Sequence, residues 1–158
     1  MKILGIDPGL RVAGYGCIIY EKSSPNPTIV EAGAIKLKTS ETVSYRLSEL
    51  YDSVKEVIED LTPDIIAVET IFTHERQVAT ATILGYARGV ILLAGEQASL
   101  PLIELTPATI KKSVTGNGRA TKLQMQEAVK SILKLDEVPK PDDVADALAL
   151  AITGALRS

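Results

Sequence analysis

The sequence predicts an α/β domain in which a mixed, five-stranded sheet carries helices on its faces, and three observations predict it. The chain opens with three runs rich in apolar and β-branched residues separated only by turns. From Val43 the apolar residues shift to spacings of three and four, and two brief, largely apolar runs interrupt the helical stretches. An antiparallel start followed by strand, helix, strand units gives a mixed sheet with covered faces. At 158 residues the chain is expected to form one domain, 1–158. A domain of this length buries roughly two thirds of its unfolded surface and needs no disulfide or structural metal to hold a core.

Lys2 to Ile6 forms the first strand and ends at the turn Asp7-Pro8-Gly9, where proline and glycine break regular structure. Ala13 to Tyr20 and Thr28 to Lys38 follow as strands of a meander, joined through the loop Ser23-Ser24-Pro25-Asn26-Pro27. In the third strand the alternation at Ala32 and Ala34 gives way to Ile35 and Leu37, so an irregularity is expected between Ala34 and Ile35. Leu47, Leu50, Tyr51, Val54, Ile58 and Leu61 then define an amphipathic helix that stops before Pro63. Asp64 to Glu69 holds four consecutive apolar residues, the pattern of a parallel strand buried on both faces. Gln77 to Gln97 is a helix with small residues along it, and Pro101 to Leu105 is the fifth strand. Thr106-Pro107 starts a helix with proline at its first position, Gly116-Asn117-Gly118 separates it from the next, and the last helix runs from about Pro141 to Leu156.

Composition excludes several classes. Hydrophobic residues make up 46% and charged residues 23%, values of an ordinary globular protein. The single cysteine, Cys17, excludes a disulfide scaffold. The first apolar run is too short for a signal peptide, and no stretch is expected to supply the ~20 apolar residues of a membrane span, so a cytoplasmic address is expected. The net charge of -3 hides a local imbalance. Between Thr106 and Leu135, Lys111, Lys112, Arg119, Lys122, Lys130 and Lys134 face only Glu127, a net +5, while the rest of the chain carries -8. Each charge acts over about one Debye length, so such a stretch attracts a phosphate backbone even on an acidic protein, although it also suits a solvated helical surface.

Four carboxylates stand where a ligand would gather. Asp7 ends the first strand and Glu69 the fourth, while Asp143 and Asp146 lie three apart on one face of the last helix. Carboxylates with no cysteine or histidine beside them suit Mg²⁺ or Mn²⁺ rather than zinc. Each has a plainer reading: Asp7 before Pro8-Gly9 suits a turn, and Asp142 and Asp143 suit any helix N-terminus. Glu69 is harder to explain that way, since a charge directly after Ile65-Ile66-Ala67-Val68 needs a partner or a metal. Asp142 lies four residues before Asp146, so helix geometry admits it in place of Asp143.

Several motifs then stand in register along the chain. Gly5-Ile6-Asp7-Pro8-Gly9 with Arg11 and Gly14-Tyr15-Gly16, Ala67-Val68-Glu69 with Phe72, Leu84 to Gly89, and Asp143-Val144-Ala145-Asp146-Ala147-Leu148-Ala149 closely resemble the RuvC family of crossover junction endodeoxyribonucleases. The resemblance implies an RNase H-like fold and a homodimer that resolves four-way Holliday junctions, in recombination and repair, by paired symmetric nicks. It places the acidic tetrad on Asp7, Glu69, Asp143 and Asp146, selecting Asp143 over Asp142, and the basic positions on Lys111 and Lys122. Lys112 and Arg119 belong to the same basic stretch and are expected to contact DNA with them. Two Mg²⁺ ions about 3.5 to 4 Å apart, with Mn²⁺ as a substitute, would serve in-line hydrolysis that leaves a 5′-phosphate.

The resemblance further implies that Phe72 meets unpaired bases, a stacking contact worth about 1 to 3 kcal/mol, against the plainer reading of core packing. His74, the only histidine, is given no role. The small-residue helix, with Tyr86 and Arg88, is expected to face the dimer partner or to pack on the sheet. RuvA and RuvB branch-migration proteins are the expected further partners. An actin-like ATPase shares only the first glycine loop and needs two such domains. A silent junction-binding module would leave four intact carboxylates unexplained, while a ribonuclease H or transposase core leaves the other motifs unexplained.

Overall fold

The computed structural model describes residues 1–24, 26–70 and 78–158. Five strands, β1 (Lys2–Asp7), β2 (Val12–Ile19), β3 (Thr28–Lys36), β4 (Ile65–Glu69) and β5 (Leu102–Leu105), form one sheet in the order β3-β2-β1-β4-β5. The β1/β2 and β2/β3 pairs are antiparallel, and the β1/β4 and β4/β5 pairs are parallel. The expected mixed sheet is therefore present. Its irregularity lies elsewhere than expected: the register is regular through Ala34 and Ile35 and shifts where Cys17 faces Glu31 and Ile18 faces Ile29, leaving Val30 as the extra residue. The change at Ile35 is one of face, not a bulge: Ala32 and Ala34 pack into the core under α5, while Ile35 and Leu37 pack into the core under α1 and α2.

Helices α1 (Val43–Leu61) and α2 (Val78–Gln97) cover one face, and α3 (Pro107–Thr115), α4 (Lys122–Ile132) and α5 (Asp142–Ala155) cover the other. The strands' period of two assigns each side chain. Leu4, Ile6, Ile66 and Val68 enter the core under α1 and α2, while Ile3 and Ala67 enter the core under α5. The same alternation turns Asp7 and Glu69 to the α5 face.

Local chemistry sets the helix ends. The Thr42 hydroxyl accepts from the Tyr45 amide at the start of α1, and Thr62 closes that helix in a left-handed conformation with φ 44° just before Pro63. Thr106 caps α3, with Pro107 in its first turn and Gly116 at φ 76° as its stop. Thr121 and Gln124 form a reciprocal capping box on α4. Buried Leu50, Val54, Ile58 and Leu61 form the inner stripe of α1.

α5 is the central helix of the second layer and is buried over almost its whole length after its first turn. It approaches closely because the strands beneath it lack side chains: a β-carbon on Gly5 would strike the Ala147 carbonyl and one on Gly14 the Asp143 carbonyl. α2 is different. It is 20 residues long, with mean hydropathy 1.5 over an 18-residue window, which by length and composition would suffice to cross a membrane, correcting the expectation that no segment would. Ala87, Ile91, Ala94 and Gly95 pack inward, whereas Val78, Ile83, Tyr86 and Leu93 are exposed, Tyr86 by 50%.

Candidate active site

The parallel register brings the first two carboxylates together. Ile6 pairs with Val68, so Asp7 and Glu69 stand side by side at the carboxyl ends of β1 and β4, on the face that α5 covers. The third arrives through the close approach of α5: Asp7 pairs with Gly14 across β1 and β2, and the backbone of Asp143 lies directly over Gly14. Asp146 follows one helical turn later, on the same side of α5 as Asp143.

Electrostatics report the same cluster. Burial, then Asp146, Asp143 and Glu69, pushes the Asp7 carboxyl from 3.8 up to about 8, with only Lys122 acting in the other direction. Glu69 is raised by burial and by Asp146, and Lys111 draws it back. Asp146 is raised by burial although Lys122 opposes the shift. A group of buried carboxylates that raise one another is one that a divalent cation would relieve.

Asp142 and Asp143 separate clearly. The Asp142 carboxylate accepts from the Gln126 amide at 3.0 Å and pairs with Lys122 at 3.2 Å, and it is not among the charges that act on Asp7. Both act on Asp146, but Asp143 is a leading charge on Asp7 while Asp142 engages Lys122 and Gln126, because a 100° step on the helix turns one toward β1 and its neighbour toward α4.

Two lysines flank the carboxylates. Lys122, in the first turn of α4, sets its ammonium 3.2 Å from Asp142 and 3.4 Å from Asp146. Partial burial works against its charge, but the two aspartates outweigh that and raise its pKa. Lys111 and Lys122 line a cleft of about 250 Å³ with Glu69, Asp146, Ile110 and Met125. Lys112 opens instead onto the far side of α3, beside Gly118 and Arg157, and Arg119 is exposed in the loop before α4. Phe72 and His74 lie outside the described residues.

All-oxygen donors at this spacing suit a hard divalent cation. Among the described residues no three His, Cys, Asp or Glu side chains converge as a ready cage. Asp146 instead pairs with the Lys122 ammonium at 3.4 Å while still acting on Asp7. The set still fits a cation by its chemistry: four carboxylates, buried in part, with one lysine at hand to neutralise Asp146.

One contact escaped the sequence reading. Arg88, expected with Tyr86 toward a partner, turns inward: its Nε donates to the Glu69 carbonyl at 3.1 Å and its guanidinium pairs with Glu104 on β5. The available signal was its isolation, as the only basic residue in α2.

The chain matches the family model for crossover junction endodeoxyribonuclease RuvC over residues 3–154. It is 46% identical over 155 residues to the crossover junction endodeoxyribonuclease RuvC of Brevibacillus brevis, covering 98% of this chain and 92% of that protein. The Thermus thermophilus RuvC structure superposes with TM-score 0.89 at 33% identity, over 98% of this chain and 93% of that one. The same protein in complex with its Holliday junction substrate gives TM-score 0.92 at 32% identity, over 99% and 94%.

Proposed function

Because the chain belongs to the RuvC family of crossover junction endodeoxyribonucleases, with the RNase H-like α/β fold of that family, we propose that it resolves Holliday junctions by metal-dependent hydrolysis at the carboxylate cluster. The observation that carries this reading is that Asp7, Glu69, Asp143 and Asp146 lie at one strand edge within electrostatic reach of one another, flanked by Lys111 and Lys122. Chemistry and binding divide between the two sets of residues.

Asp7, Glu69, Asp143 and Asp146 would hold the divalent metal, two Mg²⁺ per site or Mn²⁺ in their place. Metal bound there would supply a nucleophilic water at neutral pH and would offset charge on the leaving 3′-oxygen, the chemistry of a hydrolysis that leaves a 5′-phosphate. The residues of this chain do the positioning. β1 and β4 hold Asp7 and Glu69 at a fixed spacing, and α5 sets the two aspartates opposite them. Lys111 and Lys122 draw the scissile strand into the cleft, where a phosphodiester gives Lys122 a third anion to contact besides Asp142 and Asp146. Lys112 and Arg119 extend the basic surface along the backbone, and Phe72 stacks on a base near the crossover.

The exposed ridge of α2, with Gly85 and Gly89 open among its apolar side chains, suits a second copy of the chain. A two-fold dimer presents one active site to each of the symmetric strands. RuvA and RuvB complete the proposed assembly, in the cytoplasm.

The test is incubation of the purified protein with a mobile four-way junction, a matched duplex and an RNA–DNA hybrid, each with Mg²⁺ or with EDTA. Paired symmetric nicks on the junction alone, in Mg²⁺ alone, are expected. Preferred cutting of the hybrid, or junction binding without cutting in any divalent metal, overturns the reading.

A further inference from the structure

A lone cationic side chain in an apolar helix is costly to bury unless an acceptor receives it. Arg88 has a side chain only 19% exposed, and two acceptors receive it at the active-site edge of the sheet. Its Nε donates to the Glu69 carbonyl at 3.1 Å while its guanidinium pairs with the Glu104 carboxylate. Val68 faces Glu104 and Glu69 faces Leu105 in the β4/β5 ladder, so one planar group spans both strands at their last rungs. Beyond that rung, among the described residues, the Thr70 amide and hydroxyl continue the pairing, donating to the Leu105 carbonyl at 2.8 and 3.3 Å.

The geometry assigns Arg88 as a positioning residue that, through the Glu69 backbone and Glu104, sets where the Glu69 carboxylate stands in the acidic cluster. The assignment rests on the reading of that cluster as the cleavage site. Arg88 acts on the main chain, whereas Lys111 is the cation that acts on the Glu69 carboxyl itself. Without the clamp, the end of β4 is held on the β5 side only by ladder bonds at a sheet edge, and the Glu69 carbonyl loses a charge-assisted donor.

The clamp is tested with Arg88→Gln, Arg88→Lys and Glu104→Ala in the full chain. Calorimetric titration with Mn²⁺, hydrogen exchange at the Thr70 amide, single-turnover junction cleavage and junction binding in EDTA are the readouts. Arg88→Gln is expected to weaken Mn²⁺ binding and slow cleavage by about 10- to 100-fold, as loss of a group that orients a ligand does. Exchange at Thr70 accelerates, excess Mn²⁺ restores part of the cleavage rate, and binding in EDTA stays at the wild-type level. Arg88→Lys keeps the charge but not the fork and recovers only part of the metal affinity.

Wild-type Mn²⁺ affinity and Thr70 exchange in folded Arg88→Gln overturn the assignment. If that variant does not fold, Glu104→Ala removes half of the clamp and decides by the same readouts. Cleavage by wild type that depends on Asp7, together with an unaltered Arg88→Gln, sinks this assignment alone; cleavage that survives Asp7→Asn sinks the cleavage-site reading instead.

Discussion

On one face of the sheet α5 lies so close that Gly5 and Gly14 have no room for a β-carbon, whereas on the other α2 leaves Gly85 and Gly89 facing open space. Close approach brings charge together: it carries Asp143 and Asp146 onto Asp7 and Glu69 and buries all four in part. Open approach leaves Val78, Ile83, Tyr86 and Leu93 in solvent. The same residue type thus serves opposite ends. A glycine under α5 makes an active site possible, and a glycine on the outside of α2 leaves a surface that a second helix can approach.

The sharpest break between the faces concerns the chemistry. Asp7→Asn keeps the shape of the side chain and removes the charge that the cluster is built around. Single-turnover junction cleavage is expected to fall by about 10²- to 10³-fold, the usual loss for one electrostatic group at a reacting centre. Junction binding in EDTA should hold, because the basic residues are untouched; loss of binding together with cutting would deny that carboxylates and basic residues divide the work.

Gly14→Ala attacks the close face through its backbone. The new methyl would meet the Asp143 carbonyl and the Val144 amide, so α5 must lift at the end that carries the aspartates. A stability loss of about 3 kcal/mol is expected in urea unfolding, at the upper end for overpacking, with cleavage lost even where the variant remains folded. A variant that keeps both stability and cleavage would show that α5 is not held as close as described.

A third measurement separates the charge of the cluster from its shape. The Asp7 carboxyl ionises near 3.8 in the unfolded chain and near 8 in the folded one, so between those values the folded chain holds a proton that the unfolded chain has released. Stability from this group is therefore full below about pH 4 and declines as the pH rises toward 8. Asp7→Asn removes this part of the dependence, leaving that of Glu69 and Asp146. In EDTA it should melt above wild type by about 2 to 6 °C at pH 8, a gain of about 1 to 2 kcal/mol, and show little gain near pH 4. An equal difference at both pH values would assign the effect to packing.

Much of this was legible in the sequence because period and punctuation act locally. The run ending at Glu69 announced a buried strand with a charge at its tip, and Thr106-Pro107 and Gly116 marked both ends of α3. The four carboxylates were legible as a set, but the choice between Asp142 and Asp143 was not, since it depends on which way α5 is rotated over Gly14. Arg88 was legible only as an oddity, because its acceptors are a main-chain carbonyl and a residue of β5, neither of which periodicity relates to α2. The bulge at Val30 was misplaced for a similar reason: register is fixed by the partner strand, and apolar residues that change from one covered face to the other look the same in sequence as an interrupted alternation.

The smallest effect tests the open face. Among the described residues nothing lies within 4 Å of a β-carbon built on Gly85, so in the isolated chain Gly85→Ala is expected to meet no clash and to gain helix propensity, a stabilisation of up to about 1 kcal/mol. In a dimer packed over α2 the same methyl enters a helix contact built on small residues and opposes it. The two consequences have opposite signs and different dependence on concentration. Urea unfolding at low protein concentration should show the gain, while sedimentation equilibrium should show weaker self-association. A stabilised variant whose self-association is unchanged would place the partner's contact elsewhere on the molecule, and the exposed Tyr86 and Leu93 ridge would then need another cover. A destabilised variant at low concentration would mean that the outer face of α2 is already packed within one chain, and the contrast between the two faces would fail.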